Sequence, residues 1–319
     1  MRRVVGKKLE LAIGALNGVV GDYLEKRGNG LTTELSLIHQ GAPVPLTKQS
    51  FAKAFPDTGP RVALLVHGLM CTEAIWEMPD GRDYGSLLAH DLGISPLYLR
   101  YNSGLPIAEN GIRLAKLLEA AMDLLPVPPS ELLPIGYSMG GLVVRAACHV
   151  GKLENHRWLK LVKRAIYVGT PHLGAPLERA GRVLSKVLRA IPDPTVRLIH
   201  DLAEMRSAGV KDLGDADLRH EDRLLRKETM SLRDPRHPVP LLPQISHYLA
   251  AGSLSADPRL MTIFGDVLVP VPSGTDGACF DGASIGLPPS HVKLFPKTSH
   301  IALAHHLDVY AAIRGWCQA

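Results

Sequence analysis

Cysteine is scarce in this chain. The 319 residues include four, at Cys71, Cys148, Cys279 and Cys317, and no C-x-x-C pair occurs among them. Such scatter supports neither a disulfide framework nor a thiolate zinc site, and it suits reduced thiols in a reducing, cytoplasmic compartment. Long apolar runs are missing too: no stretch approaches the ~18 uninterrupted residues of a membrane-spanning helix. Excess charge of one sign is slight, with 36 basic residues against 31 acidic ones for a net +5. Both signs are mixed along the chain, so there is no concentrated basic face for nucleic acid. Internal repeats and low-complexity tracts are absent as well.

What remains is a sequence that can bury a large core. Apolar residues make up 46% and charged ones 21%, which excludes wholesale disorder. The amino-terminal residues 1–30 read as a separate amphipathic helix, with Val5, Leu9, Ala12, Ile13, Leu16 and Val20 at helical spacing. The segment mimics a secretory signal, yet Lys7, Lys8, Glu10 and Asn17 interrupt it and no A-x-A site follows. It is expected to be retained and to pack on the domain; peripheral membrane contact is the alternative role for a basic helix of this kind.

From residue 31 onward, short apolar runs alternate with helical patterns, the signature of an α/β domain with a mostly parallel sheet and crossover helices. Strands are expected at 33–38, 62–66, 96–101, 132–137, 164–168, 246–251 and 291–295, with helices at 107–125, 139–150 and 303–316. Residues 177–242 break this rhythm. Amphipathic helical pieces are separated there by Pro192, Pro194, Gly209, Gly214 and the prolines 235–243, in a stretch far longer than an ordinary connection. An inserted helical cap within the 31–319 domain is the expectation.

Gly136-Tyr137-Ser138-Met139-Gly140 matches G-x-S-x-G, follows an apolar strand and opens a helix. In such a turn flanking side chains would collide with neighbouring backbone, and the serine hydroxyl is lifted out of the sheet toward a helix N-terminus that favours negative charge. His67-Gly68-Leu69 follows the 62–66 strand, where a loop can donate a backbone N–H to an oxyanion; the Leu69 and Met139 amides are the candidate pair. His67 precedes the serine and is better suited to bonding the local backbone than to acting as base. A serine hydroxyl needs a histidine to take its proton and a carboxylate to orient that histidine. His300, just past a strand at the carboxyl edge of the sheet, is the candidate base, with His305 next in line. For the acid, Asp257, Asp266, Asp276 and Asp281 compete. Asp266 is preferred because it sits in a turn before Val267-Leu268-Val269-Pro270, whereas Asp276 and Asp281 fall in a glycine-rich stretch suited to Asx turns.

These segments, together with Val168-Gly169-Thr170-Pro171-His172-Leu173-Gly174-Ala175-Pro176, resemble the α/β-hydrolase superfamily, in particular its lipase and esterase branch. G-T-P-H-x-G-[SA]-P looks like triacylglycerol lipases and inositol-deacylase-like lipases, and Asp266-Val267-Leu268-Val269-Pro270 matches the family's acid turn. The resemblance implies an α/β-hydrolase fold, a Ser138–Asp266–His300 triad, an ester substrate and no metal or organic cofactor. One departure is Tyr137, where many relatives carry histidine before the nucleophile. A thioesterase or acyltransferase would use the same three residues; an amidase or peptidase is a further alternative, though no sequence feature asks for an amine leaving group, and a non-catalytic ligand-binding protein of the same fold is another.

Overall fold

A computed structural model describes residues 2–172, 208–215, 239–255 and 287–318. Eight strands form one sheet in the order β2-β1-β4-β3-β5-β6-β7-β8. They are β1 (Ser36–His39), β2 (Ala42–Pro43), β3 (Arg61–Val66), β4 (Ser95–Arg100), β5 (Glu131–Tyr137), β6 (Arg164–Val168), β7 (Ser246–Ser253) and β8 (Val292–Pro296). β1 runs antiparallel to β2 and β4, and every pair from β4 through β8 is parallel. The central strands were legible because they are apolar on both faces: Val62, Ala63, Leu64, Leu65 and Val66 are all buried without alternation. The mostly parallel α/β architecture expected from the sequence is the one observed.

Helices cover both faces. α2 (Lys48–Ala54), α4 (Ile107–Ala121) and α5 (Met139–Leu153) follow α1 (Arg2–Lys26) on the chain, with α3 (Tyr84–Leu92) between α2 and α4. One core layer joins α4 and α5 to the sheet through Leu114, Leu118, Leu142, Val143 and Ala147; the other gathers Trp76, Tyr84, Leu88, Ile313 and Trp316 on the opposite face. At the amino edge of the sheet Glu131 pairs with Arg61 at 2.8 Å and Arg164 at 3.2 Å. These arginines also donate to the Cys317 and Trp316 carbonyls, anchoring the last helix.

Three local expectations need correction. The single helix expected at 303–316 is two: α7 (His300–Leu303) and α8 (Leu307–Gln318), so His300 opens a helix and His305 and His306 fall in the break. The buried Tyr84 hydroxyl fills that break. It lies 2.7 Å from the Leu303 carbonyl and accepts from the His306 amide at 2.9 Å, satisfying backbone groups the interruption leaves over. Second, Gly209 and Gly214, read as punctuation, lie inside α6 (Ala208–Asp215). A side chain at Gly209 would meet the Leu105 carbonyl oxygen at 2.9 Å, so the glycine is there for close approach. The rest of the expected cap, apart from 239–242, lies outside the described residues.

The third correction concerns α1, whose packed face coincides only in part with the one counted from the sequence: Val20 is buried and Leu16 packs half-buried beside it. Leu9 is 60% exposed, while Ala15, Asn17, Gly18, Val19, Gly21 and Leu24 are buried. Hydrophobic counting overlooks glycine, yet glycine is what permits backbone-to-backbone approach. Asn17 is fully enclosed: its amide donates to the Ile13 and Leu31 carbonyls at 2.9 and 2.8 Å and accepts from the Thr33 N–H at 2.9 Å. Among the described residues no helix is long and apolar enough to cross a membrane.

Candidate active site

Because β3 through β8 are parallel, their carboxyl ends form one rim, and Ser138 and His300 both lie along it. Ser138 follows β5 directly and caps α5 with φ 53° and ψ −125°. That left-handed backbone is rare for a residue with a Cβ and marks a conformation held by its surroundings. Here the hold is tight packing of bare backbone. The Ser138 amide donates to the Val168 carbonyl at 2.8 Å. A side chain at Gly136 would lie 2.6 Å from the Gly141 nitrogen, and one at Gly140 would lie 2.9 Å from the Val66 carbonyl carbon. Ser138 is 8% exposed.

The loop after β3 crosses immediately beside it. A Cβ at Gly68 would stand 2.9 Å from the Ser138 Cβ, which puts the Leu69 backbone one residue from the serine. Met139 is the first helical residue of α5, so its N–H belongs to the group that has no acceptor within the helix. His67 is fully buried and stacks on Tyr101 with ring centroids 4.3 Å apart. Its Nδ1 donates to the Gly68 carbonyl at 2.8 Å and its Nε2 accepts from the Tyr101 amide at 3.3 Å. Burial brings its pKa down from 6.5 to about 4, against the pull of the Gly68 carbonyl. The ring therefore stays neutral and serves the loop's backbone, as its position before the serine suggested.

His300 reaches the same rim from β8. Lys297 turns the chain with φ 57°, Ser299 caps α7 by accepting from the Ala302 amide, and His300 is 4% exposed. Tyr137, the neighbour of the serine, meets it twice: the phenol donates to the His300 carbonyl at 3.2 Å, and the rings are 5.1 Å apart. A side chain at Gly169 would touch the His300 ring at 3.1 Å. The structure thus brings the neighbourhoods of Ser138, Leu69, Met139 and His300 together. Asp266 lies outside the described residues, as do Asp257, Asp276 and Asp281.

Sequence reasoning treated Tyr137 as packing alone and missed its bond to the His300 carbonyl. Tyr137→Phe is expected to cost about 1 kcal/mol of stability and to lower kcat several-fold with KM little changed, checked by urea unfolding and steady-state kinetics.

The G-T-P-H segment acts behind the serine. Thr170 packs on Gly141, where an added Cβ would lie 2.8 Å from the threonine Cβ. Arg145, on α5, donates to His172 Nδ1 at 2.9 Å and to the Val239 carbonyl at 2.8 Å. One guanidinium therefore ties α5 to both chain segments that bracket residues 173–238. Burial, and next the Arg145 charge, hold the His172 pKa far below its ordinary value, and burial brings His247 down to about 4.

These neutral histidines carry a stability consequence. Between pH 6.5 and about 4 the unfolded chain binds protons that buried His67, His172 and His247 do not, so stability falls as pH drops through that window. His67 alone accounts for a loss of about 3 kcal/mol. Denaturation midpoints measured from pH 7.5 to 4.5 should decline accordingly, and His67→Gln should flatten the slope; a pH-independent midpoint would contradict the burial of these rings as neutral groups.

No family model matches the sequence, and no curated protein matches it. Solved structures do. The mature lipase of Bacillus licheniformis superposes with a TM-score of 0.51 at 16% identity, over 81% of this chain and 91% of that one. A lipase-esterase related protein of Clostridium acetobutylicum aligns at 14% identity and TM-score 0.44 over 81% and 95% of the two chains, respectively. At 16% identity the likeness to the Bacillus lipase concerns the path of the backbone alone: the chain has an α/β-hydrolase fold.

Proposed function

We propose that this protein is a serine hydrolase that cleaves carboxylic esters of hydrophobic acyl groups through an acyl-enzyme. The observation that carries the reading is the strained backbone of Ser138, wedged between the Gly68–Leu69 loop and the His300 side of the rim. A buried serine in a costly conformation, beside backbone donors and a histidine, is what nucleophilic acyl transfer requires.

In this reading His300 accepts the Ser138 hydroxyl proton as Oγ bonds to the ester carbonyl carbon. The carbonyl oxygen becomes an oxyanion held by the Leu69 and Met139 amides, each worth about 3 kcal/mol or more to the transition state. The intermediate collapses by breaking the bond to the alcohol oxygen, which leaves with the proton from His300. Water then gives a proton to His300 and its oxygen to the acyl carbon, releasing the acid and restoring Ser138. Asp266 stays ionised and fixes the histidine tautomer. A hydrophobic acyl preference rests on the apolar residues of 177–242, such as Val183, Leu184, Val187 and Leu188.

A panel of p-nitrophenyl esters of increasing chain length tests the proposal. Expected are a burst of p-nitrophenol equal to the enzyme concentration and a kcat/KM that rises from acetate to longer acyl chains. Faster turnover of matched thioesters would turn the reading to a thioesterase, and absence of Ser138-dependent turnover on any of them would refute it.

A further inference from the structure

The loop that carries the Leu69 amide is held by two segments that neither the sheet nor the proposed triad requires. From one side α1 presses on it. A Cβ at Gly18 would lie 2.7 Å from Met70 Cα and 2.8 Å from Met70 N, and one at Gly14 would lie 3.2 Å from the Cys71 carbonyl oxygen. Met70 itself has φ 61° and packs with Ala15, Val19, Val20 and Leu24, while Leu69 rests partly buried on the same cluster. From the other side comes the turn after β4. The Met70 amide donates to Ser103 Oγ at 2.9 Å, and both residues are buried, at 7% and 1% exposure.

Those two segments are in turn fastened to each other. Asn102 donates to the Gly21 carbonyl at 3.0 Å and accepts from the Gly104 amide at 3.0 Å. α6 closes the arrangement: Ala208 donates to Asp22 at 3.1 Å and Gly209 to the Gly104 carbonyl at 2.9 Å. The Cys71 thiol adds a bond to the Leu69 carbonyl at 3.4 Å. The left-handed Met70 is thus clamped on both flanks, directly after the residue whose N–H would face an oxyanion.

We infer that α1 and the Asn102–Gly104 turn form a clamp that sets the position of the Leu69 amide, with Gly18 and Ser103 as positioning residues for the hydrolytic reaction. This rests on the serine-hydrolase reading of the site. An oxyanion donor acts on charge that develops in the transition state, so misplacing it lowers kcat and leaves ground-state binding alone. Displacement by about 1 Å can cost on the order of 100-fold.

The test compares Ser103→Ala, which removes the acceptor of the Met70 amide with little change of volume, with Gly18→Ala, which forces α1 off the Met70 backbone. Gly315→Ala, on α8 where an added Cβ meets nothing within 4 Å, is the control. Ester kinetics and the affinity of an alkyl boronic acid, whose serine adduct is tetrahedral and anionic, are read for all of them. Ser103→Ala is expected to lower kcat about 10-fold and Gly18→Ala about 100-fold, with KM within threefold of the parent and boronate affinity falling in step with kcat; Gly315→Ala should match the parent. If Gly18→Ala fails to fold, Ser103→Ala decides alone. Ser138-dependent turnover with unchanged kcat in the folded variants would overturn the clamp and leave the hydrolase reading standing. A parent protein lacking Ser138-dependent turnover would sink both.

Discussion

Ser138→Ala is expected to abolish ester hydrolysis, by about 10⁶-fold in kcat if the residue acts as a triad nucleophile. Thermal stability should hardly change, because one hydroxyl is lost and the packing of Gly68, Gly136 and Gly140 around the turn is kept. Ser138→Gly makes a sharper companion. At φ 53° and ψ −125° any residue with a Cβ is strained, by about 1 to 3 kcal/mol. Glycine relieves that strain at an entropic cost of about 0.5 to 1 kcal/mol. The glycine variant should therefore be as inactive as the alanine variant yet more resistant to urea, by about 1 kcal/mol. Stability given up at a reactive position is the usual mark of a site shaped for chemistry. A glycine variant no more stable than the alanine one would mean the turn holds no strain.

Asp266→Asn is expected to lower kcat by about 10⁴-fold. An asparagine keeps the shape of the acid and still accepts or donates a hydrogen bond, but it stabilises neither the required histidine tautomer nor the imidazolium that forms. Asp276→Asn and Asp281→Asn, in the glycine-rich stretch 274–286, should each change kcat less than threefold. Steady-state kinetics on one soluble ester decides between them. If Asp276→Asn or Asp281→Asn proves the damaging change, the acid has been assigned to the wrong turn, while Ser138 and His300 keep their roles.

The sheet was legible because its information is local. Strands at 62–66, 132–137 and 164–168 are short apolar runs bounded by polar or turn residues, and the observed β3, β5 and β6 differ from them by a residue at most. The turn at Ser138 was legible for the same reason: crowding at Gly136 and Gly140 writes itself into the sequence as glycine. What escaped were features that depend on distant partners. The two-residue β2 has too few residues to show a period. The break between α7 and α8 depends on Tyr84, more than two hundred residues away in the chain, whose hydroxyl takes over the backbone groups of the interrupted helix. Part of the buried face of α1 is written in Gly14, Gly18 and Gly21, which contribute nothing to a hydrophobic count. Tyr137 could be flagged as a departure, but its bond to the His300 carbonyl is a contact between residues 163 positions apart.

α1, the helix at residues 2–26, packs directly on the loop after β3. Its contacts with Met70 and Cys71 lie on the loop that the proposed chemistry uses, and its contact with Asn102 lies on the turn that holds that loop. Changes on this helix are accordingly expected to register in turnover before they register in substrate affinity.

The most direct test of an activated serine needs no knowledge of the natural ester. The folded protein is treated with a fluorophosphonate, and the adduct is located by intact mass and peptide mapping. One adduct per chain on Ser138, absent from Ser138→Ala and from heat-denatured protein, is the predicted result. Folded protein that stays unlabelled, or that carries its adduct on another residue, would contradict the account.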